Sequence, residues 1–342
     1  MSIQAANEYD RVPVKAIIEA KASPPRPAAA PAVLHLTVDE ESAGQRLDNY
    51  LIRHLKGVPK THVYRIIRSG EVRVNKGRAA ADARVATGDV VRVPPVRQST
   101  RPEPAQAAPA REFPVLLEDD WLLAIDKPAG VAVHGGSGVS FGVIEQLRRA
   151  RPQARLLELV HRLDRETRGV LLMAKKRSAL KALQEQFRAR STGKTYLAVV
   201  RGDWPERIKV IDAPLHKYLI EGGERRVKTV AAEHPDAMRA VTLVRVRERA
   251  GGYSLLEVTI KTGRTHQIRV HLAAQGHPIA GDDKYGDFAH NRLLHKQGLK
   301  RMFLHAWRLR IEHPASSERS DLLAPLPAHL PWPLPASASP PA

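Results

Sequence analysis

Residues 159–173 read Leu-Val-His-Arg-Leu-Asp-Arg-Glu-Thr-Arg-Gly-Val-Leu-Leu-Met, and within them Asp164 stands among Arg162, Arg165 and Arg168, with Glu166 the only other acid. An aspartate between arginines is often a structural ion pair, and spacing alone does not set that reading aside. The same spacing also describes a carboxylate kept anionic by neighbouring guanidinium groups, which suits a nucleophile or base and disfavours a proton donor at neutral pH. Gly169 then leads into apolar residues that predict an interior strand. Asp164 is thus expected in a cationic turn where a buried strand begins.

A second dense stretch, Lys261-Thr-Gly-Arg-Thr-His-Gln-Ile-Arg-Val-His-Leu272, predicts a strand ending at Thr262-Gly263 and a helix over 265–275, stopped by Gly276. Arg264 would stand at the start of that helix, outside its regular hydrogen bonding. His266 and His271 invite a zinc reading, but positions i and i+5 diverge by about 140° on a helix and no acid stands at a matching third position. Residues 194–200 alternate as a strand carrying Tyr196, a placement that fits ordinary core as readily as chemistry. The loop His134-Gly-Gly-Ser-Gly138 has neither the Gly-Lys-Ser/Thr ending of a P-loop nor the spacing of a dinucleotide fold, so it reads as a flexible rim of a site.

The elements that must position these residues follow from composition and periodicity. Trp121–Asp126 predicts a buried strand, and Lys127-Pro-Ala-Gly130 turns the chain after it. Residues 1–33 and 315–342 are Pro-rich and poor in bulky apolar side chains, and both read as disordered tails. A linker over 98–111 separates a small domain at 34–97 from a larger one at 112–314. In the small domain, 44–51 opens a helix with Leu47, Tyr50, Leu51 and Leu55 on one face. Residues 60–69 form a second, with Thr61 as N-cap, so that Arg65 and Arg68 share a side. Strands at 71–75 and 88–93 flank a turn at 75–78.

The chain has 342 residues, 55 of them Lys or Arg against 36 Asp or Glu, a net charge of +19. Residues 43–97 alone hold twelve basic against four acidic residues, a concentration that points to a polyanionic partner. Cysteine is absent, which removes disulfides, thiolate nucleophiles and cysteine-ligated metals and fits a reducing compartment. No segment has the length and apolarity of a membrane span or the order of a signal peptide, so the expected location is cytoplasmic. Aromatics are only 5% of residues, which favours arginine and shape, hence structured RNA or duplex, over an extended stacking platform.

The small domain, with Gly-x-Arg-Leu-Asp, two short helices, Val-Arg-Val-Asn before a turn and a closing Gly-Asp-x-Val, resembles the S4 RNA-binding domain. That resemblance implies an αL-type fold whose Arg65, Arg68, Arg73 and Lys76 lie against RNA backbone. A basic module for a protein partner is the other reading. Behind it, His161-Arg-Leu-Asp-Arg-Glu-Thr with Gly169, Lys194-Thr-Tyr196 and Gly263-Arg-Thr-His-Gln-Ile-Arg269 resemble the RluA family of pseudouridine synthases over residues 40–314. Residues 134–145 and 175–180 resemble its RluC branch, which modifies uridines of large-subunit (23S) ribosomal RNA.

The family resemblance implies an α+β chain: the S4 domain, then a catalytic domain with a long mixed, mostly antiparallel sheet and a central cleft. It implies an isomerase that flips a uridine out of the RNA, breaks its N1–C1′ bond, rotates the uracil and joins C5 to C1′. Asp164 would be the catalytic aspartate, Arg162 would fill the gap left by the flipped base, and Tyr196 would stack on the uracil. Arg264 would pair with Asp164, and His161, Leu163 and Ile268 would form the substrate pocket. No cofactor, nucleotide or metal is implied. The expected partner is large-subunit ribosomal RNA or its assembly intermediate, and the expected state is a monomer. The family has Ser-Gly where this chain has Arg168-Gly169, which would exchange a hydroxyl hydrogen bond for a phosphate contact. The rival readings are a non-catalytic S4-type RNA-binding assembly factor and a metal-dependent nuclease, the latter needing clustered acids that the sequence lacks.

Overall fold

The computed structural model describes residues 32–40, 42–55, 57–96, 108–136, 139–221, 224–326 and 332–334. The chain divides into two compact units near residue 101. The first contains β1 (Leu34–Thr37), α1 (Leu47–His54), α2 (Lys60–Arg68), β2 (Arg73–Val74) and β3 (Val90–Val93). Its antiparallel sheet has the order β1-β3-β2.

Helical periodicity makes its core: Leu47, Tyr50 and Leu51 of α1 meet Val63, Ile66 and Ile67 of α2, all buried, over Val91 and Val93 of β3. Gly44, at φ 77°, turns the chain into α1, which therefore begins three residues after that glycine. Pro59, not Thr61, is the N-cap of α2, its φ of −57° already close to helical.

The second unit contains β4 (Val115–Glu118), β5 (Leu122–Lys127), α3 (Val143–Ala150), β6 (Glu158–Leu159), β7 (Arg168–Ala174) and α4 (Arg177–Ala189). There follow β8 (Gly193–Arg201), β9 (Val210–Asp212), β10 (Leu215–Leu219), β11 (Arg225–Thr229), β12 (Val241–Ala250) and β13 (Tyr253–Ile260). The chain continues through α5 (Gln267–Ala274), α6 (Phe288–Lys296), β14 (Leu304–Glu312) and β15 (Arg319–Leu323).

Ten strands form one sheet, in the order β4-β5-β7-β14-β8-β13-β12-β9, with β15 on β14 and β6 on β7. Every pair is antiparallel except β7 with β14. The apolar run after Arg168 is the reason β7 lies inside: all seven of its residues are buried. Gly169 is required where β7 meets β14, because a Cβ on it would stand 2.3 Å from the Ala306 carbonyl oxygen, and its φ is +106°.

One boundary expectation is corrected. Residues 315–342 do not all form a disordered tail: β15 pairs with β14, Leu322 joins the core beside Leu309 and Ile311, and Leu334 packs with Leu299 and Phe303. Leu322 and Leu334 are the apolar residues that the proline-rich composition obscured. The N-terminal tail expected at 1–33 and most of the linker expected at 98–111 lie outside the described residues.

Candidate active site

The loop that leads into β7 is built to hold its shape. Lys127, fully buried at the end of β5, donates through Nζ to the carbonyls of Pro128 (2.9 Å), Val131 (2.7 Å) and Arg165 (3.1 Å). Gly130 N donates to Arg165 O and Arg165 Nε returns a bond to Gly130 O, so residues 128–131 and 162–168 form one braced pair of loops. Burial pulls the Lys127 ammonium down to about 7, against the attraction of Glu166 and Asp164.

Asp164 projects from this brace into a pocket lined also by Arg162, Leu163 and Thr167, by Tyr196 of β8, by Ile260, by residues 263–269 and by Leu304 of β14. Its Oδ2 lies 3.7 Å from Arg269 Nη1 and 3.9 Å from His266 Nε2. The carboxylate is one-fifth exposed, while Arg269 is 7% exposed. Arg269 is itself gripped by buried Asp282, with Nε–Oδ2 and Nη2–Oδ1 both at 2.7 Å. Burial works against the Arg269 charge, but the hydrogen bonds and attraction of Asp282, with Asp164 behind them, hold it above its ordinary value. A permanently charged fork therefore faces Asp164.

His266 has the left-handed conformation, φ 53°, that ends the preceding loop and starts α5. The Tyr285 hydroxyl accepts from Val227 N (3.1 Å) and lies 2.7 Å from His266 Nδ1, its one other partner among the described residues. The hydroxyl therefore donates to Nδ1, and neutral His266 carries its proton on Nε2, toward Asp164. Burial lowers the His266 pKa more than the Asp164 charge raises it, so the ring is neutral at pH 7.

Buried Gln267 fixes the start of α5: its Oε1 accepts from Thr262 Oγ1 and Arg264 N, and its Nε2 donates to Val241 O and Thr242 Oγ1. Tyr196 lies between two core clusters and against the pocket. Burial, then the charge of Asp164, pushes its phenol well above the ordinary range, so it keeps its proton.

The structure brings Arg162, Leu163, Asp164, Tyr196, Arg264 and Ile268 together around the pocket. Two expected arrangements, the pairing of Arg264 with Asp164 and a pocket role for His161, are not found. The arginine beside Asp164 is Arg269; Arg264 Nε instead donates to Arg239 O at 3.1 Å. The helix starts at Gln267 and not at 265, which leaves Arg264 in the loop and turns Arg269 inward. His161 is not a pocket residue. Its Nε2 accepts from Leu172 N (3.1 Å), its ring stacks on Phe187 at 4.9 Å, and burial pulls its pKa down to about 4, so it is a neutral structural ring.

Beyond the pocket an open trough is lined by Arg162, Arg165, Arg225, Arg226 and Lys284 together with His134, Gly136 and Val139; Ser137 and Gly138 of the expected rim lie outside the described residues. Arg225 and Arg226 stand in no motif of the sequence, because β11, which pairs antiparallel with β10, lies far along the chain from the dense stretches. Arg168 does not reach the pocket; it is buried at the start of β7.

The two histidines of the zinc reading set aside above are otherwise engaged, His266 with Tyr285 and His271 with Thr242 Oγ1 and Ala213 O through its two nitrogens. Among the described residues one group of three has ligand atoms within 4.8 Å, His216, His234 and Asp236, and His234 Nδ1 already accepts from the Asp236 amide.

In the first unit Arg65, Arg68 and Lys76 are exposed and Arg73 is half-buried. Asn75 and Lys76 both have positive φ, and the Asn75 side chain ties the turn to Asp89 and Val90, which leaves Lys76 at its tip.

Comparison with known proteins agrees with this geometry. Residues 121–274 match the family model for RNA pseudouridylate synthase, and residues 45–91 match that for the S4 domain. The chain is 52% identical over 301 residues to ribosomal large subunit pseudouridine synthase C of Yersinia pestis, covering 86% of this chain and 93% of that protein. It is 50% identical over 303 residues to the protein of the same name from Escherichia coli K12, covering 86% and 94%. Among solved structures, human RNA pseudouridylate synthase domain containing 4 is 30% identical, with a TM-score of 0.51 over 63% of this chain and 89% of that one.

Proposed function

This chain belongs to the RNA pseudouridylate synthase family, with an S4 domain ahead of the synthase domain, and from that premise we infer that it isomerises uridines of large-subunit ribosomal RNA with Asp164 as the reacting carboxylate. The observation that carries the assignment of Asp164 is its position: a carboxylate facing a pocket with both apolar and polar walls, with a charged guanidinium fixed at 3.7 Å and a neutral imidazole N–H at 3.9 Å. A base inside a duplex is out of reach of such a pocket, so the uridine enters it flipped. Arg162, exposed at the pocket mouth, stands where the vacated stack can be filled.

Tyr196 offers a ring face to the uracil, and Leu163 and Ile268 exclude water from it. In the net reaction N1–C1′ breaks, C5–C1′ forms, the C5 proton leaves to solvent and N1 takes one up. Arg269 and His266 keep Asp164 oriented while charge moves through these steps. No helix among the described residues is long and apolar enough to cross a membrane, and a ribosomal substrate supports work in the cytoplasm.

The test is tritium release from large-subunit RNA transcripts and immature subunits labelled at uridine C5. The wild type releases label without added cofactor or metal, and Asp164→Asn falls by about 10⁴-fold or more while RNA affinity stays within a few-fold. Release by Asp164→Asn near the wild-type rate removes Asp164 from this role. No release from either protein leaves an RNA-binding assembly factor as the reading.

A further inference from the structure

Behind the catalytic loop lies a second cleft of about 400 Å³, separate from the pocket and the trough. Its walls include Arg111, Phe113, Asp126, Pro128, Arg168 and Arg301. Arg168 is 8% exposed, its Nε is buried without a hydrogen-bond partner, and no carboxylate lies within ion-pair distance of it among the described residues. Asp126 faces the same cleft, yet the two do not pair, and burial, against the pull of Arg168, raises the Asp126 pKa. An unpaired guanidinium out of water is costly, and among the described residues only the longer-range attraction of Asp126 and Glu166 offsets that cost.

The other cations of the cleft are not interchangeable with it. The Lys127 ammonium is fully engaged by three carbonyls. Arg111 is exposed and lies 4.8 Å over the Phe113 ring. Arg301 gives Nη1 to Glu166 at 3.0 Å and is half exposed. The cleft thus sets three guanidinium groups against one carboxylate, beside apolar Phe113 and Pro128. It lies beside the reacting site in the chain: Thr167 lines the catalytic pocket and the next residue, Arg168, lines the cleft. Forked donors around an apolar floor match a phosphodiester with its sugar.

We propose that Arg168, with Arg111 and Arg301, forms a subsite that holds a phosphodiester of the substrate RNA next to the flipped uridine, and that the buried guanidinium gains its partner when RNA binds. The inference rests on the RNA reading given above. It is tested with the full-length protein and a large-subunit RNA transcript, by measuring Kd from 0.05 to 0.3 M salt, the melting temperature and tritium release.

Arg168→Ser weakens RNA binding about tenfold at 0.15 M salt and lowers the slope of log Kd against log salt by about 0.9, the loss of one phosphate contact. The free variant melts no lower than the wild type, because a buried unpaired charge has gone. Arg111→Ala, at an exposed position, reduces the slope by a similar amount whether or not Arg168→Ser folds. Unchanged affinity and slope in Arg111→Ala and in a folded Arg168→Ser overturn the subsite, as does a fall in melting temperature with binding intact, which makes Arg168 structural. If the wild type releases tritium and the variants bind normally, only the subsite fails. If the wild type neither binds nor releases, the RNA reading fails with it.

Discussion

The two units hold positive charge in opposite ways. Around Asp164 the key guanidinium is buried, doubly bonded to Asp282 and fixed by a helix whose first turn is anchored through Gln267. On the first unit Arg65 and Arg68 stand exposed on α2, with no carboxylate partner among the described residues, and Arg65 hydrogen-bonds the His62 ring. Fixed charge sets geometry at a reacting carboxylate, whereas exposed charge supplies affinity that salt screens. The contrast teaches that abundance of arginine says little about role, and that the partner of each guanidinium says most of it.

The largest effect that tests this contrast is expected at Arg269. Arg269→Lys keeps the charge but loses the fork that spans Asp282, and kcat should fall about 100-fold while RNA Kd moves less than about threefold, as read from single-turnover and binding assays. Equal losses in both would mean that Arg269 works as a general cation, as the surface arginines do. A smaller effect is expected from Arg65→Ala combined with Arg68→Ala: RNA affinity falls about tenfold, the salt slope drops by about 1.8 and kcat at saturating RNA stays unchanged. A drop in saturated kcat would break the division of labour.

The smallest effect concerns protons. In the second unit burial lowers the pKa of His161, His266, His271, His290 and His305, and in the first unit that of His54. Each such ring is protonated first in the unfolded chain, which binds the extra proton between pH 6.5 and the lower folded value. Stability is therefore present above about 6.5 and is lost as pH falls toward about 4, the value for His161. Calorimetry at pH 7 and 5.5 should show the second unit losing about 1 kcal/mol for each of His161 and His266, with the other rings adding in the same direction, and the first unit changing less. Equal shifts in the two transitions would contradict the assignment of these rings as neutral and structural.

How much of this was legible depended on whether a residue's role was local. The strand after Gly169, the two helices under Arg65 and Arg68 and the position of Asp164 all follow from periodicity and turn chemistry within a few residues. Arg269 was hidden because two arginines lie close to the start of α5 and both line the pocket, and only the fold shows that Arg269 reaches Asp164 while Arg264 donates to Arg239 O. His161 sits three residues from Asp164 but turns to the Leu172 amide, a partner that only the β6–β7 arrangement supplies. The core role of Leu322 rests on pairing with β14, and Pro-rich composition carried no trace of it.

The place of β14 between β7 and β8 has a consequence for how the protein is made. Asp164 leads into β7 and Tyr196 belongs to β8, yet the two strands are joined only through residues 304–312, which the ribosome adds more than a hundred residues after Tyr196. Until that strand threads between them, the two sides of the pocket have no ladder in common. The growing chain can display its basic first unit early in synthesis, but it becomes able to modify RNA only after residues 304–312 have been added and close the sheet.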